Sequence, residues 1–222
     1  MPIDWFPLWL SLRVAALATV KSCVVGIWIA WLLARRDFRG KAALEAAIEL
    51  PLLLPPTVLG YYLLVLVGNS TPLGRLYEAA FGAPLLFTWR AAVLAAFLYA
   101  APLLVRSARA AFEKIDTTYE LAARAMGASG WRVFWQVHLP MVRGPILAAA
   151  VLAFARSMAD FGITIMIAGN LPGRTQTLSV AVYDAAQKGN GAMARAMVVV
   201  ISVIAVGALF VAGRLQRRQA AG

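Results

Sequence analysis

Apolar residues fill this chain in five long blocks, and polar residues gather between them in short clusters. The blocks cover residues 8–33, 48–68, 87–107, 143–168 and 195–213. Blocks of this kind are read as helices crossing a hydrocarbon layer of about 30 Å. The fold class expected is therefore all-α: a polytopic membrane protein, one domain over residues 1–222, with five transmembrane helices and a two-helix cytoplasmic loop at residues 114–140.

That loop is the longest segment between two strongly apolar blocks, and it contains DTTYELAARAMGASGWRVFWQVHLP. Thr117 and Glu120 stand at capping-box spacing, so a helix is predicted to start at Thr117. Leu121, Ala122, Ala123 and Met126 continue it, and Gly127 supplies the left-handed residue that closes a helix. Ser129 is placed to cap a second helix, on which Trp131, Phe134, Trp135 and His138 share a face. Pro140 is expected to end it. Short amphipathic helices between spans are often surface-lying connectors, and periodicity alone leaves that reading open.

Inside the blocks, a few residues break the apolar pattern. Gly26, Ala30 and Ala34 form a small-residue row on which another helix can lie closely. Arg13, near the outer end, can snorkel to the interface, and Trp89 is placed as an interfacial anchor. Lys21 falls near mid-span, where a charge is costly, so it marks either a structural pair or a conduction path. Pro51, Pro55 and Pro56 forbid a regular helix at the entrance to the second span, and such irregular backbone must face protein or water. In the fourth span, Arg156 and Asp160 stand at i, i+4 spacing and can neutralise each other. They are candidates either for a buried structural pair or for a translocation path, with Ser157 and Thr164 adding hydroxyls.

Composition agrees with the membrane reading. Of 222 residues, 62% are hydrophobic and only 14% charged, with mean hydropathy +0.75. A net charge of +11 invites a nucleic-acid reading, since basic patches bind phosphate backbones. The distribution of the charge argues against it. With the loop after the first span placed inside, Arg35, Arg36, Arg39, Lys41, Arg106, Arg109, Lys114, Arg124, Arg132, Arg143, Arg214, Arg217 and Arg218 fall on the inner side, and Arg75, Arg90, Arg174, Lys188 and Arg195 on the outer. This positive-inside bias puts the N-terminus outside and the C-terminus in the cytoplasm. The first block lacks a cleavage site and is expected to remain as a span. One cysteine, Cys23, and one histidine give neither an internal disulfide nor a metal cluster, and no cofactor is expected. Gly40-Lys41 lacks the rest of a phosphate loop, and no hydrolase elbow or metalloprotease motif is present, so no catalytic residue is assigned.

The loop resembles the cytoplasmic "EAA" loop of bacterial ABC importer permeases. Ala122, Ala123, Gly127, Val137, Leu139 and Pro140 fall in register with it, whereas Leu121 occupies the motif's acidic position and the acid stands one place earlier, at Glu120. The 34–68 stretch, with LPLLLPPTVLGYY, the run ARSMADFG and the loop NLPGRTQT resemble the molybdate branch of that family. The resemblance implies a homodimeric permease in the bacterial inner membrane, with two cytoplasmic ABC ATPase subunits and a periplasmic oxyanion-binding protein. It implies that Thr117, Glu120, Ala122, Ala123, Gly127, Leu139 and Pro140 belong to the ATPase-coupling loop. Other readings are a permease for tungstate or sulfate, a stand-alone carrier or channel, and a membrane anchor.

Overall fold

The computed structural model describes residues 4–220, with side chains through residue 215. Arg217 and Arg218, counted above among the inner cations, lie outside the described side chains. In chain order the elements are α1 (Phe6–Arg35), α2 (Lys41–Leu53), α3 (Pro56–Leu66), α4 (Pro72–Phe81), α5 (Trp89–Glu113), α6 (Thr117–Ala125), α7 (Gly130–Val133), a π-helical turn (Phe134–His138), α8 (Leu139–Met158), α9 (Gly162–Ile167), α10 (Leu178–Gln187) and α11 (Gly191–Ala220). Among the described residues no strand occurs. Among the described residues four helices are long and apolar enough to cross a membrane, namely α1, α5, the continuous Gly130–Met158 helix and α11, and the bent pair α2 and α3 makes a fifth candidate.

Helix α5 lies at the centre of the bundle because alanine dominates its buried face. Ala91, Ala92, Ala95, Ala96, Ala100 and Ala108 are all buried, and small side chains let neighbouring helices approach closely. The row predicted on α1 receives this helix: a Cβ added at Gly26 would stand 3.0 Å from Leu104 and 3.2 Å from Val105. Near the start of α1 and of α5 the Arg13 guanidinium lies 4.3 Å over the Trp89 ring, so the two expected interfacial residues meet each other. Lys21 is exposed on the flank of α1.

Several expected boundaries differ. The second block is two helices with a bend of 119° between them rather than one continuous helix. Leu54 and Pro55 are extended at the bend, ahead of Pro56 at the start of α3, as a residue preceding proline prefers. Pro51, by contrast, sits inside α2. That helix has no buried residue, so the carbonyl freed by the missing proline amide is not sealed in a core. The fourth block is also interrupted: α8 stops at Met158 and α9 begins at Gly162. Both segments expected as outer loops contain helices, α4 and α10. Thr71 caps α4 by accepting from the Gly74 amide at 3.0 Å, and α10 buries Leu178, Val180, Ala181 and Ala185.

Pro140 does not end a helix. The chain runs through it from Gly130 to Met158 because the π-helical turn lies immediately upstream, with the Leu139 amide reaching back to the Phe134 carbonyl. Proline crowds the carbonyl four residues before it, and a widened turn at that point relieves the crowding.

The two interrupted segments pack on each other. Helices α3 and α9 run parallel at backbone contact: a Cβ at Gly162 would stand 2.6 Å from Pro56 Cβ, and one at Gly60 would stand 2.8 Å from Met166 Cβ. Glycine is needed at both positions for this approach.

Candidate functional site

Two regions carry the candidate residues. The first is the loop between α5 and α8. Its capping residue is Asp116 rather than Thr117: the Asp116 carboxylate accepts from the Thr118 amide at 2.8 Å and from the Thr118 hydroxyl at 2.7 Å. Thr117 is instead the first helical residue. A carboxylate is a stronger acceptor than a hydroxyl and favours the positive end of the helix dipole. These hydrogen bonds hold the Asp116 carboxyl below its ordinary pKa.

Glu120 does not reach back to the cap. Its Oε1 accepts from Arg124 Nε at 3.0 Å and Nη2 at 2.8 Å, and its Oε2 faces His138 Nε2 at 3.4 Å. Gly127 adopts φ +82° and closes α6 as the sequence predicts, and Ser129 caps α7 through the Arg132 amide at 3.4 Å. Ala123 is buried while Ala122 is exposed. Leu139 and Pro140 sit at the start of α8, where the loop joins the bundle.

The aromatic stripe divides between two environments. Phe134 and His138 are buried, whereas Trp131 and Trp135 are largely exposed. Trp28 of α1 stacks on both Trp131, with centroids 5.1 Å apart, and Phe134, at 4.6 Å. Trp31 Nε1 donates to His138 Nδ1 at 2.9 Å, and Arg35 Nη2 donates to the Ile115 carbonyl at 2.9 Å. The helix pair is thereby bound to the end of α1. Trp31 and Arg35 were not singled out by sequence reasoning for this contact, and the only signal was the polar edge each presents in an apolar helix. Two large apolar side chains stand exposed here: Leu121 on α6, 65% exposed, and Met126 just past its end, 82%.

The second region is the break between α8 and α9. Arg156 and Asp160 form no ion pair, because α8 ends between them and the i, i+4 spacing no longer brings the two side chains together. Asp160 is buried and turns toward α9, where Oδ1 accepts from the Ile163 amide at 3.3 Å and Oδ2 accepts from Thr164 Oγ1 at 2.6 Å. Its carbonyl accepts from Ser179 Oγ at 2.6 Å. Short polar side chains that bond nearby backbone compete with helix continuation in this way. Ser157 Oγ donates to the Ala96 carbonyl at 3.4 Å. Arg156 lies over the Tyr99 ring at 4.1 Å and donates from Nε to the Tyr99 carbonyl at 3.1 Å. Ser157, Asp160 and Thr164 are thus engaged in holding the fold. The half-buried Arg156 makes no ion pair among the described residues.

A hydrogen-bonded bracket stiffens the loop between α9 and α10. Asn170 accepts from Gln176 Nε2 at 2.7 Å and donates to Asp184 Oδ1 at 2.9 Å, while Lys188 pairs with Asp184 at 2.7 Å. The lysine and these amides hold the Asp184 carboxyl below its ordinary pKa. Among the described residues no group of histidine, cysteine and carboxylate side chains is arranged to hold a metal ion.

Known proteins share both the sequence and the architecture. The chain is 45% identical over 201 residues to the molybdenum transport system permease protein ModB of Escherichia coli K12, covering 90% of this chain and 87% of that one. It is 42% identical over 204 residues to the putative molybdenum transport system permease protein YvgM of Bacillus subtilis, covering 92% and 90%. The inward-facing MetNI methionine ABC transporter superimposes with a TM-score of 0.73 at 18% identity, covering 96% of this chain and 94% of that one, which is a likeness of fold. The model of the family described as binding-protein-dependent transport system inner membrane component matches residues 23–221. With its helical bundle, broken spans and capped loop, this chain belongs to that family of inner-membrane transport components.

Proposed function

We propose that this chain is the membrane-spanning subunit of an ATP-driven molybdate importer. It acts as a homodimer with two cytoplasmic ATPase subunits and receives its cargo from a periplasmic oxyanion-binding protein. The N-terminus is periplasmic and the C-terminus cytoplasmic. The observation that carries this reading is the α6–α7 pair: a capped unit bound to α1 from within, presenting Leu121 and Met126 outward. An exposed apolar edge on a capped, anchored helix pair is a surface suited to docking a partner subunit.

In this mechanism the ATPases close on α6, and the displacement passes through the π-helical turn into α8. The interruption at residues 159–161 lets α8 tilt while α9 stays packed on α3. A change of access of this kind requires contacts that differ between the two states. Arg156 is the charge on this subunit best suited to meet a tetrahedral dianion, since Asp160 does not neutralise it. Asp160, Ser157 and Thr164 position the walls around it. Tungstate and sulfate share the same tetrahedral dianion chemistry.

The test is reconstitution in vesicles. The chain with its ATPase and binding protein takes up molybdate only with ATP, and sulfate competes weakly. Cysteines placed at Leu121 or Met126 crosslink to the ATPase. ATP-independent movement of oxyanion by the chain alone would overturn the reading in favour of a stand-alone carrier.

A further inference from the structure

At the joint between α1, α6 and α8, two buried donors make no hydrogen bond. Trp31 gives its indole N–H to His138 Nδ1, so the imidazole carries its own proton on Nε2. That Nε2–H is buried without a hydrogen bond, and so is Arg35 Nε one turn along α1. Buried polar groups are almost always paired, and each exception calls for an explanation. Glu120 Oε2 faces His138 Nε2 at 3.4 Å without making a hydrogen bond to it. Beside it, a cavity of about 380 Å³ separates the end of α1 from α6, lined by Arg35, Arg36, Asp37, Thr117, Glu120 and Leu121. Room to move, an unmet donor and a facing carboxylate coincide at one place.

We propose that this joint has a second arrangement, in which α6 closes over the cavity and Glu120 Oε2 accepts from His138 Nε2. His138 is then a positioning residue whose Nε2–H fixes the location of the coupling helix through Glu120. Glu120, displaced by one place from the family's acidic position, serves this internal contact rather than the ATPase surface. The inference rests on the coupling role proposed for the loop. Contacts made in one state and unmade in the other are what a transmitted movement requires.

The test uses the full complex in vesicles and reads oxyanion uptake per ATP hydrolysed. His138→Gln keeps a donor near Nε2, and His138→Asn keeps an acceptor near Nδ1 but loses the donor. The expected result is a ratio within threefold of wild type for His138→Gln, with a loss of at least tenfold for His138→Asn and for Glu120→Ala. Equal ratios for the two histidine variants would overturn the proposal. Should either variant fail to insert, a second measurement decides. With Cys23→Ser as background, Asp37→Cys and Thr117→Cys across the cavity should crosslink faster with ATP bound, and a rate independent of nucleotide would overturn it. If the wild-type complex takes up no oxyanion, the importer reading fails, and the cysteine pair still reports on whether the joint closes.

Discussion

Replacing Gly162 by alanine sets a methyl carbon 2.6 Å from Pro56 Cβ and 3.2 Å from the Thr57 amide nitrogen. Carbon atoms pack at about 3.5–4.0 Å, so α3 and α9 must separate by about 1 Å. Neither a proline ring nor a backbone amide can rotate aside. Overpacking of this kind costs about 1–3 kcal/mol, and at about 2–4 °C per kcal/mol for a chain of this size the Tm of the detergent-purified protein should fall by about 2–12 °C. Gly60→Ala meets Met166 Cβ at 2.8 Å and the Ile163 backbone at 3.2 Å, in the same interface. One separation of the helices relieves both clashes. The double variant should therefore be destabilised by less than the sum of the single variants, with a coupling of about 0.5 kcal/mol or more. ATP-driven uptake should fall along with stability, because these two short helices adjoin both interruptions. A Gly162→Ala protein with the wild-type Tm, or strict additivity of the two changes, would refute the claim that the contact between α3 and α9 is set by backbone approach.

Three further outcomes follow from local geometry. Gly127→Val should insert normally yet lose most ATP-driven uptake, since φ +82° is hostile to a branched residue although nothing lies within 4 Å of its Cβ; Gly127→Asn, which tolerates that region, should retain uptake. Because the Asp116 carboxyl is held below its ordinary pKa in the folded chain, its contribution is complete above the unfolded value and is lost as pH falls through the lower folded value. Corrected amide-exchange protection at residues 117–119 should therefore be flat from neutral pH to about pH 5 and drop only in stronger acid, and Asp116→Ala should remove it at every pH. Asn170→Ala leaves buried Gln176 without its acceptor, at a cost of about 1–3 kcal/mol, and should raise the rate of protease cleavage between residues 169 and 177.

Long apolar runs favour helices whatever their neighbours, so the all-helical class was legible from composition and periodicity, although the second and fourth blocks each break into two helices. The left-handed closure at Gly127 and the cap at Ser129 were legible too, because both depend on a few consecutive residues. The loop's resemblance to importer permeases was read from the register of Ala122, Ala123, Gly127, Leu139 and Pro140. Helix continuity was the point where reading along the chain misled. Pro140 lies within a helix because the upstream turn widens, while Asp160 stands in a break just before α9, where Ile163, Thr164 and Ser179 meet its carboxylate and carbonyl. The partners of charged and polar side chains were also undetermined by the chain alone. Arg156 pairs with Tyr99 across 57 residues and Trp31 with His138 across 107. Contacts at such separations exist only after the helices have packed. Spacing of four along one helix makes a pair available, but only the bundle decides whether the helix is still intact where the pair would form, and which distant group is nearer.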